Sequence, residues 1–419
     1  MEKREKSVSN DMSDRIEIQV RDSGFDTDPY PTLKILREQE PVHWSESLGG
    51  WMVTRYEDVV RTFKDIESFS NSGRLAQASV HLSPDAREGL GEFHSHYNGI
   101  GLLHSDPPEH SRLRRLVLEA FNPSSIRAMH DRVQQIVDEI LDRASDVGGM
   151  EVINDLAWGL PSTVLADILG APEESRQVFR KWADDLLAFQ GSNKPSEEVL
   201  LTTQAALVDS RAYFSALIEE RRRRPGNDLL SSLVQAQSEG DRLSEEELLN
   251  TCVTLLAAGQ ETTTALIGNA LLLLLQRPDD LAAVRANRAL IPLAIEEIVR
   301  FESPISRQPR LVRQEVELGG KRLAKGDVVF QMLNSANRDS SVFEEPDNLV
   351  IGRRPNRHIG FGLGAHYCVG APLSRLEGAV VIDSLLNRFS EINIASETIV
   401  WNTSKLNSRI LDGLEISLH

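Results

Sequence analysis

From about Tyr56 to about Arg300, apolar residues recur mainly at the three- and four-residue spacing of helices. The stretch "WMVTR" before it reads as a short strand that leads into a helix starting near Tyr56. After it, "RQEVELGGKRLAKGDVVFQML" breaks into short β runs, separated by the turn signals Gly319-Gly320 and Lys325-Gly326. A helical pattern returns in "APLSRLEGAVVIDSLLNRF". No internal repeat is visible, and the pattern predicts a mainly α protein with a small β portion.

One long central helix stands out. Ser244 with Glu247 three residues later forms a capping box, and Pro278 follows the last apolar turn. The spacing predicts one helix of roughly 32 residues, about 48 Å long. A second helix is predicted near Asp106, with that aspartate as cap, Pro107 in its first turn and Glu109 three after the cap. Residues 1 to 27 read as a flexible tail and residues 28–419 as a single domain. Ala78 to Gly101 and Gly191 to Leu200 read as long loops of the kind that often form lids.

Composition narrows the function. The chain has 419 residues, 40% hydrophobic and 26% charged, as in a soluble globular protein. A net charge of −17 and 5% aromatic residues argue against a general nucleic-acid surface. The polar N-terminus has no signal-peptide core, and the run "ALIGNALLLLL" is too short to cross a bilayer. Only two cysteines, Cys252 and Cys368, are present, without zinc-type spacing. A cytoplasmic protein that does not engage a membrane, monomeric by default, is the expectation.

The chemistry concentrates in four segments. Cys368 lies among Gly362, Gly364 and Gly370, just before a helix whose free N–H groups would stabilise a thiolate. By itself it reads either as a ligand or as a buried structural cysteine. Within the central helix, "LLAAGQETTTAL" places Gly259 and three threonines, all poor helix formers. They could form a packing notch, with a hydroxyl such as that of Thr262 bonding back to Ala258, or a functional groove. Glu297 and Arg300 share a helix face at i and i+3, as many exposed pairs do. His110 and Arg114 share another face and could be merely solvated. The "RRRR" run at Arg221 to Arg224 sits at a helix end, where cations meet the dipole, and Cys252 reads as a small apolar core residue.

The motif Phe361-Gly362-x-Gly364-x-His366-x-Cys368-x-Gly370 resembles the haem-binding loop of the cytochrome P450 family. "DPYP", "DPPEH", "AGQETT", "EEIVR" and "ANRD" follow the family's order from about Asp28 onward. The resemblance implies haem b held between the long helix and the cysteine loop, with Cys368 as the metal ligand. Phe361, Gly362 and Gly370 would form the loop under the macrocycle, and Ala258 and Gly259 the oxygen groove. His110, Arg114, Arg310 and His358 would hold the haem carboxylates, to which arginine's planar fork is suited. Glu261 and Thr262 would relay protons to the oxygen being activated. Glu297, Arg300 and Arg353 would form a buried network, with Val350 replacing an acidic residue common near Arg353. Thr254, Ala257, Ala258, Phe189, Ser306 and Leu406 would line the substrate pocket.

The implied reaction puts one atom of dioxygen into a C–H or C=C bond of an apolar substrate such as a polyketide, terpenoid or steroid. Water takes the other atom. No flavin or iron–sulfur segment is present, so electrons from NAD(P)H would arrive through a ferredoxin and its reductase. Arg112 and Arg115 could help dock that acidic donor. The competing reading is a haem-thiolate sensor without turnover, against which the Glu261-Thr262 pair speaks, since a sensor needs no oxygen scission.

Overall fold

The computed structural model describes residues 13, 16–20, 22–191, 194–238, 243–405 and 407–419. Five helices carry the site: α1 Glu109–Ala120, α2 Glu245–Gly259, α3 Glu261–Leu275, α4 Ile291–Phe301 and α5 Ala371–Arg388. The strands are β1 Val42–Ser45, β2 Gly50–Val53, β3 Phe69–Ser70, β4 Gly149–Glu151, β5 Arg307–Val312, β6 Val316–Leu318, β7 Lys321–Leu323, β8 Val328–Met332, β9 Ile392–Ile394 and β10 Glu415–Leu418.

The strands form three small sheets. The largest runs β1-β2-β8-β5-β3, antiparallel except for the β2–β8 pair, and every residue of β8 is buried. β4-β10-β9 is a second sheet. The third is the β6–β7 hairpin, turning at Gly319-Gly320 with both glycines at positive φ, as the sequence predicts. Most of the core lies among the helices, where Leu271 to Leu274 of α3 are all buried. Each such leucine contributes about 1.5–3 kcal/mol.

The central helix departs from the expected single rod. α2 starts with the Ser244–Glu247 capping box, both reciprocal bonds being made. The helix breaks at Gln260 and resumes as α3. Hydroxyls take up carbonyls around the break: Thr262 Oγ1 donates to Ala258 O at 3.1 Å, and Thr264 Oγ1 to Gln260 O at 3.1 Å. Side-chain donors therefore make an interruption of the helical ladder tolerable at the Gly259 position.

Other expectations change as well. Ala78 to Gly101 holds two short helices, Pro84–Glu88 and Gly91–Asn98; Ser83 caps the first by accepting from Ala86 N. Gly191 to Leu200 ends earlier than expected, because Ser196 caps the helix Glu197–Arg223, whose last turn carries Arg221 to Arg223. Asp106 does not cap α1, which begins at Glu109; its carboxylate accepts from Ser70 Oγ and Asn71 N and pairs with Arg313. Within the expected flexible tail, Ile16, Val20 and Phe25 are buried against Leu33, Leu36 and Met52. Among the described residues, no helix is long and apolar enough to cross a membrane.

Candidate active site

The cysteine loop is set by two left-handed residues. Gly362 and Gly364 have φ of 74° and 71°, a region costly for any side chain at these turns. The loop closes with Cys368 N donating to Phe361 O at 2.9 Å. Burial pushes the Cys368 thiol up, while the N–H groups of Gly370 and Ala371 at the start of α5, with Arg114 and Arg375, oppose that shift. The sulfur thus faces donors and cations suited to a thiolate inside a desolvated pocket. Phe361 lies beside it, with the Arg375 guanidinium 4.3 Å from its ring centre.

Above the loop, α3 is tied to α5: the hydroxyls of Thr263 and Ser374 lie 2.9 Å apart. In this stretch Ala258 and Gly259 are exposed and Thr262 half-buried, although Leu256, Ala257, Gln260 and Glu261 on either side are buried. Glu261 accepts from Ser408 Oγ and pairs with Lys405, whose ammonium also bonds Asp184.

His110, Arg114 and Arg310 lie near His366 at the cysteine loop, and His358 bonds elsewhere. His110, on α1, stacks on His366 with ring centres 3.9 Å apart. Desolvation first, then neighbouring cations, pull the two rings down to about 4 and about 2. Arg310, on β5, is desolvated to about 10, donates to its neighbour's Pro309 O, and lies over the Phe63 ring. Asp106, the acid that it feels, is already engaged by Ser70, Asn71 and Arg313. His358 departs from this cluster: Nε2 lies 3.0 Å from Glu296 and Nδ1 accepts from Gly360 N. Glu296 also holds Arg375, and these bonds outweigh burial, holding its carboxyl down at about 2.

The buried Arg310 and half-buried Arg114, short of carboxylates and beside a desolvated thiol, fit a group that brings two carboxylates and a metal. His110 Nδ1 is buried and has no hydrogen-bond partner among the described residues, consistent with that fit. The residues present therefore match haem.

Glu297 and Arg300 form a bidentate pair at 2.8 Å, both fully buried, and Arg353 Nε reaches both carboxylate oxygens at 3.0 and 3.1 Å. Val350, the departure from the family pattern, contributes its backbone N–H to Glu297 at 2.8 Å. Of the expected pocket residues, Thr254 and Ala257 are buried on α2. Phe189 packs on Phe93 and Tyr97 with ring centres 5.2 Å from each. Ser306 is bonded to Asn407 O, and Leu406 lies outside the described residues. Arg112, considered for partner docking, is paired with Glu247, and Arg115 with Glu119. A cleft of about 430 Å³ opens beside the cysteine loop, bordered by His110, Arg114, Arg115, Leu118, Gly364 and Ala365.

Sequence reasoning missed Lys405, Ser408, Glu296 and Ser374. The first two lie in the irregular segment before β10, where no periodicity marks a side chain. Glu296 could have been noticed as the neighbour of Glu297 in "EEIVR".

A mainly helical body with a thiol loop under a broken helix defines a haem-thiolate protein. The family model for cytochrome P450 matches residues 75–407, and the chain belongs to that family. It is similar to the cytochrome P450 monooxygenase PikC of Streptomyces venezuelae, 37% identical over 90% of this chain and 88% of that protein. The polyketide biosynthesis cytochrome P450 PksS of Bacillus subtilis is 34% identical over 94% of this chain and 96% of its own. The structure of CYP109E1 from Bacillus megaterium in complex with testosterone matches with a TM-score of 0.85 at 31% identity, covering 95% and 100% of the two chains. The protein is a cytochrome P450 monooxygenase and a haem-iron oxidoreductase.

Proposed function

We propose that this monooxygenase hydroxylates or epoxidises a bulky apolar molecule of the polyketide, terpenoid or steroid class, using two electrons from NAD(P)H delivered through a ferredoxin and its reductase. Haem b, when bound, supplies an iron that binds and activates dioxygen. Cys368 would be its protein ligand, and His110, Arg114 and Arg310 would hold its carboxylates by charge-assisted hydrogen bonds. His358, engaged by Glu296, would act through Arg375 and α4.

One observation carries the proposal: Glu261 and Thr262 sit together at the break between α2 and α3, next to the exposed Ala258 and Gly259. Thr262 Oγ1 holds a proton at that opening, and the Glu261 carboxylate, paired with Lys405, moves protons toward it. A protein that only sensed ligands would have no use for this pair. Thr254, Ala257, Ala258, Phe189, Ser306 and Leu406 are assigned to the substrate pocket. The relatives named for polyketide biosynthesis and bound to testosterone support the substrate class.

Turnover under isotopically labelled dioxygen tests the proposal, with substrates chosen by their shift of the haem spectrum. The expected product carries one labelled oxygen. Response to short fatty acids alone, or unlabelled product, would contradict it.

A further inference from the structure

Glu261 is 3% exposed, so any proton it passes on must enter through a neighbour. Two groups reach its carboxylate: the Ser408 hydroxyl, which donates to Oε1, and the Lys405 ammonium, 3.0 Å from Oε2. Burial works against the ammonium, but Glu261 and Asp184 outweigh it and hold its pKa above the ordinary value, so Lys405 keeps its proton and serves as counter-charge. A hydroxyl both accepts and donates. Ser408 can therefore give its proton to Glu261 while taking another from behind.

Behind Ser408 lies a cavity of about 30 Å³, above the roughly 10–15 Å³ that one water requires. Ser408, Asn334, Asn402, Thr403 and Lys405 line it, with Phe25 as apolar wall. Thr403 is exposed and Asn402 half-buried, whereas Asn334 and Ser408 are buried, so the cavity leads from solvent inward. Asn334 is 1% exposed, and neither its amide nitrogen nor its amide oxygen has a hydrogen-bond partner among the described residues. A buried amide in that state is costly unless water satisfies it. Backbone bonds fix it beside Ser408: Asn334 N donates to Ser306 O at 3.3 Å, and Ser306 N to Asn407 O at 2.7 Å. The cations of the lining are engaged, Arg409 with Glu302 at 2.8 Å and Lys405 with Glu261 and Asp184, while Arg307 has Asp26 as its nearby acid. The occupant that fits is small, neutral and able both to donate and to accept, which is water.

We propose that Ser408 is a positioning residue that passes protons to Glu261 from water held in this cavity by Asn334. This rests on the monooxygenase reading above. One turnover consumes dioxygen, two electrons and two protons, and yields the oxygenated product and one water. Each proton enters as Ser408 accepts from the cavity water and gives its own to the carboxylate, the water being recharged from solvent at Thr403.

The holoenzyme tests this as wild type, Ser408→Ala, Ser408→Thr and Asn334→Leu. A wild-type crystal structure should show ordered water within hydrogen-bond distance of Asn334 and Ser408; a dry cavity would overturn the proposal. Hydrogen peroxide brings both protons with it, so Ser408→Ala should raise the ratio of peroxide-driven to oxygen-driven turnover at least about tenfold. The solvent isotope effect on oxygen-driven turnover should rise as well. Ser408→Thr should restore both values, and Asn334→Leu should move both in the direction of Ser408→Ala. Equal loss of oxygen- and peroxide-driven turnover in Ser408→Ala would show mere support of the substrate pocket and overturn the proposal, as would wild-type values for both. Wild-type values in Asn334→Leu would place the proton source outside the cavity. Should Ser408→Ala fail to fold, Asn334→Leu and the crystal structure carry the test. A Thr262→Ala variant as well coupled as wild type would contradict the functional reading itself; an uncoupled Thr262→Ala beside an unaltered Ser408→Ala would contradict this route alone.

Discussion

Lys405 and Glu261 form an ion pair, Nζ 3.0 Å from Oε2, that ties the acid beside the helix break to the segment before β10. The same ammonium lies 2.7 Å from Asp184, in the helix Arg176–Leu187. The carboxylate is thus held between two distant segments. Lys405→Met would leave Glu261 with Ser408 as its hydrogen-bond partner, in a buried site without that counter-charge. The expected outcome is a several-fold fall in product formed per NAD(P)H consumed, with substrate affinity retained. Coupling equal to wild type would show that the pair has no part in proton delivery.

Thr262→Ala removes the hydroxyl that now donates to Ala258 O. Oxygen consumption should continue while product falls and hydrogen peroxide rises, by roughly 10²-fold in their ratio if the hydroxyl supplies general-acid positioning. Thr262→Ser should restore most of the coupling. Peroxide assay against product analysis reads this directly.

Glu297→Gln leaves the Arg300 and Arg353 guanidiniums in the core without their carboxylate. Breaking a buried pair in this way costs about 3–5 kcal/mol, far above the sub-kilocalorie value of the same spacing on a helix surface. The midpoint of denaturant unfolding should fall accordingly. A change below about 1 kcal/mol would mean that the network contributes little.

Acid should destabilise the fold early. His96 and His104 are buried with ring centres 5.3 Å apart, and desolvation, with neighbouring positive groups, holds them at about 3 and about 4. Their folded values lie below the unfolded value of 6.5, so the unfolded chain binds more protons in between. Stability is therefore full above about pH 6.5 and is lost as pH falls, at about 1.4 kcal/mol per pH unit for each ring. Urea unfolding at pH 6 and pH 5 should differ by about 2–3 kcal/mol from these two groups. A His96→Gln/His104→Gln variant should lose that difference; the same slope in variant and wild type would place the proton uptake elsewhere.

Periodicity and caps made the helical body legible, including the Ser244 capping box and the Gly319-Gly320 hairpin. The break at Gln260 was legible only as a run of poor helix formers, Gly259 and three threonines, which serves a packing notch in a continuous helix as well as an interruption. The short helix after Ser83 was masked by its polar composition, since it buries no residue and its cap alone announces it. At the site, Cys368, His110, Arg114 and Arg310 are singled out through the resemblance to the family, not through spacing alone. Lys405 could not be, because its importance comes from tertiary neighbours more than a hundred positions away, Asp184 and Glu261. His358 shows the converse: the resemblance singles it out, but Glu296 engages its ring.

The central claim is that Cys368 ligates a haem iron as a thiolate, and the absorption spectrum of the reduced protein under carbon monoxide tests it most directly. Wild type should show the strongly red-shifted band of thiolate ligation, and Cys368→His should hold haem without that band. A folded, haem-loaded wild type lacking the band, or a Cys368→His variant that kept it, would contradict the account.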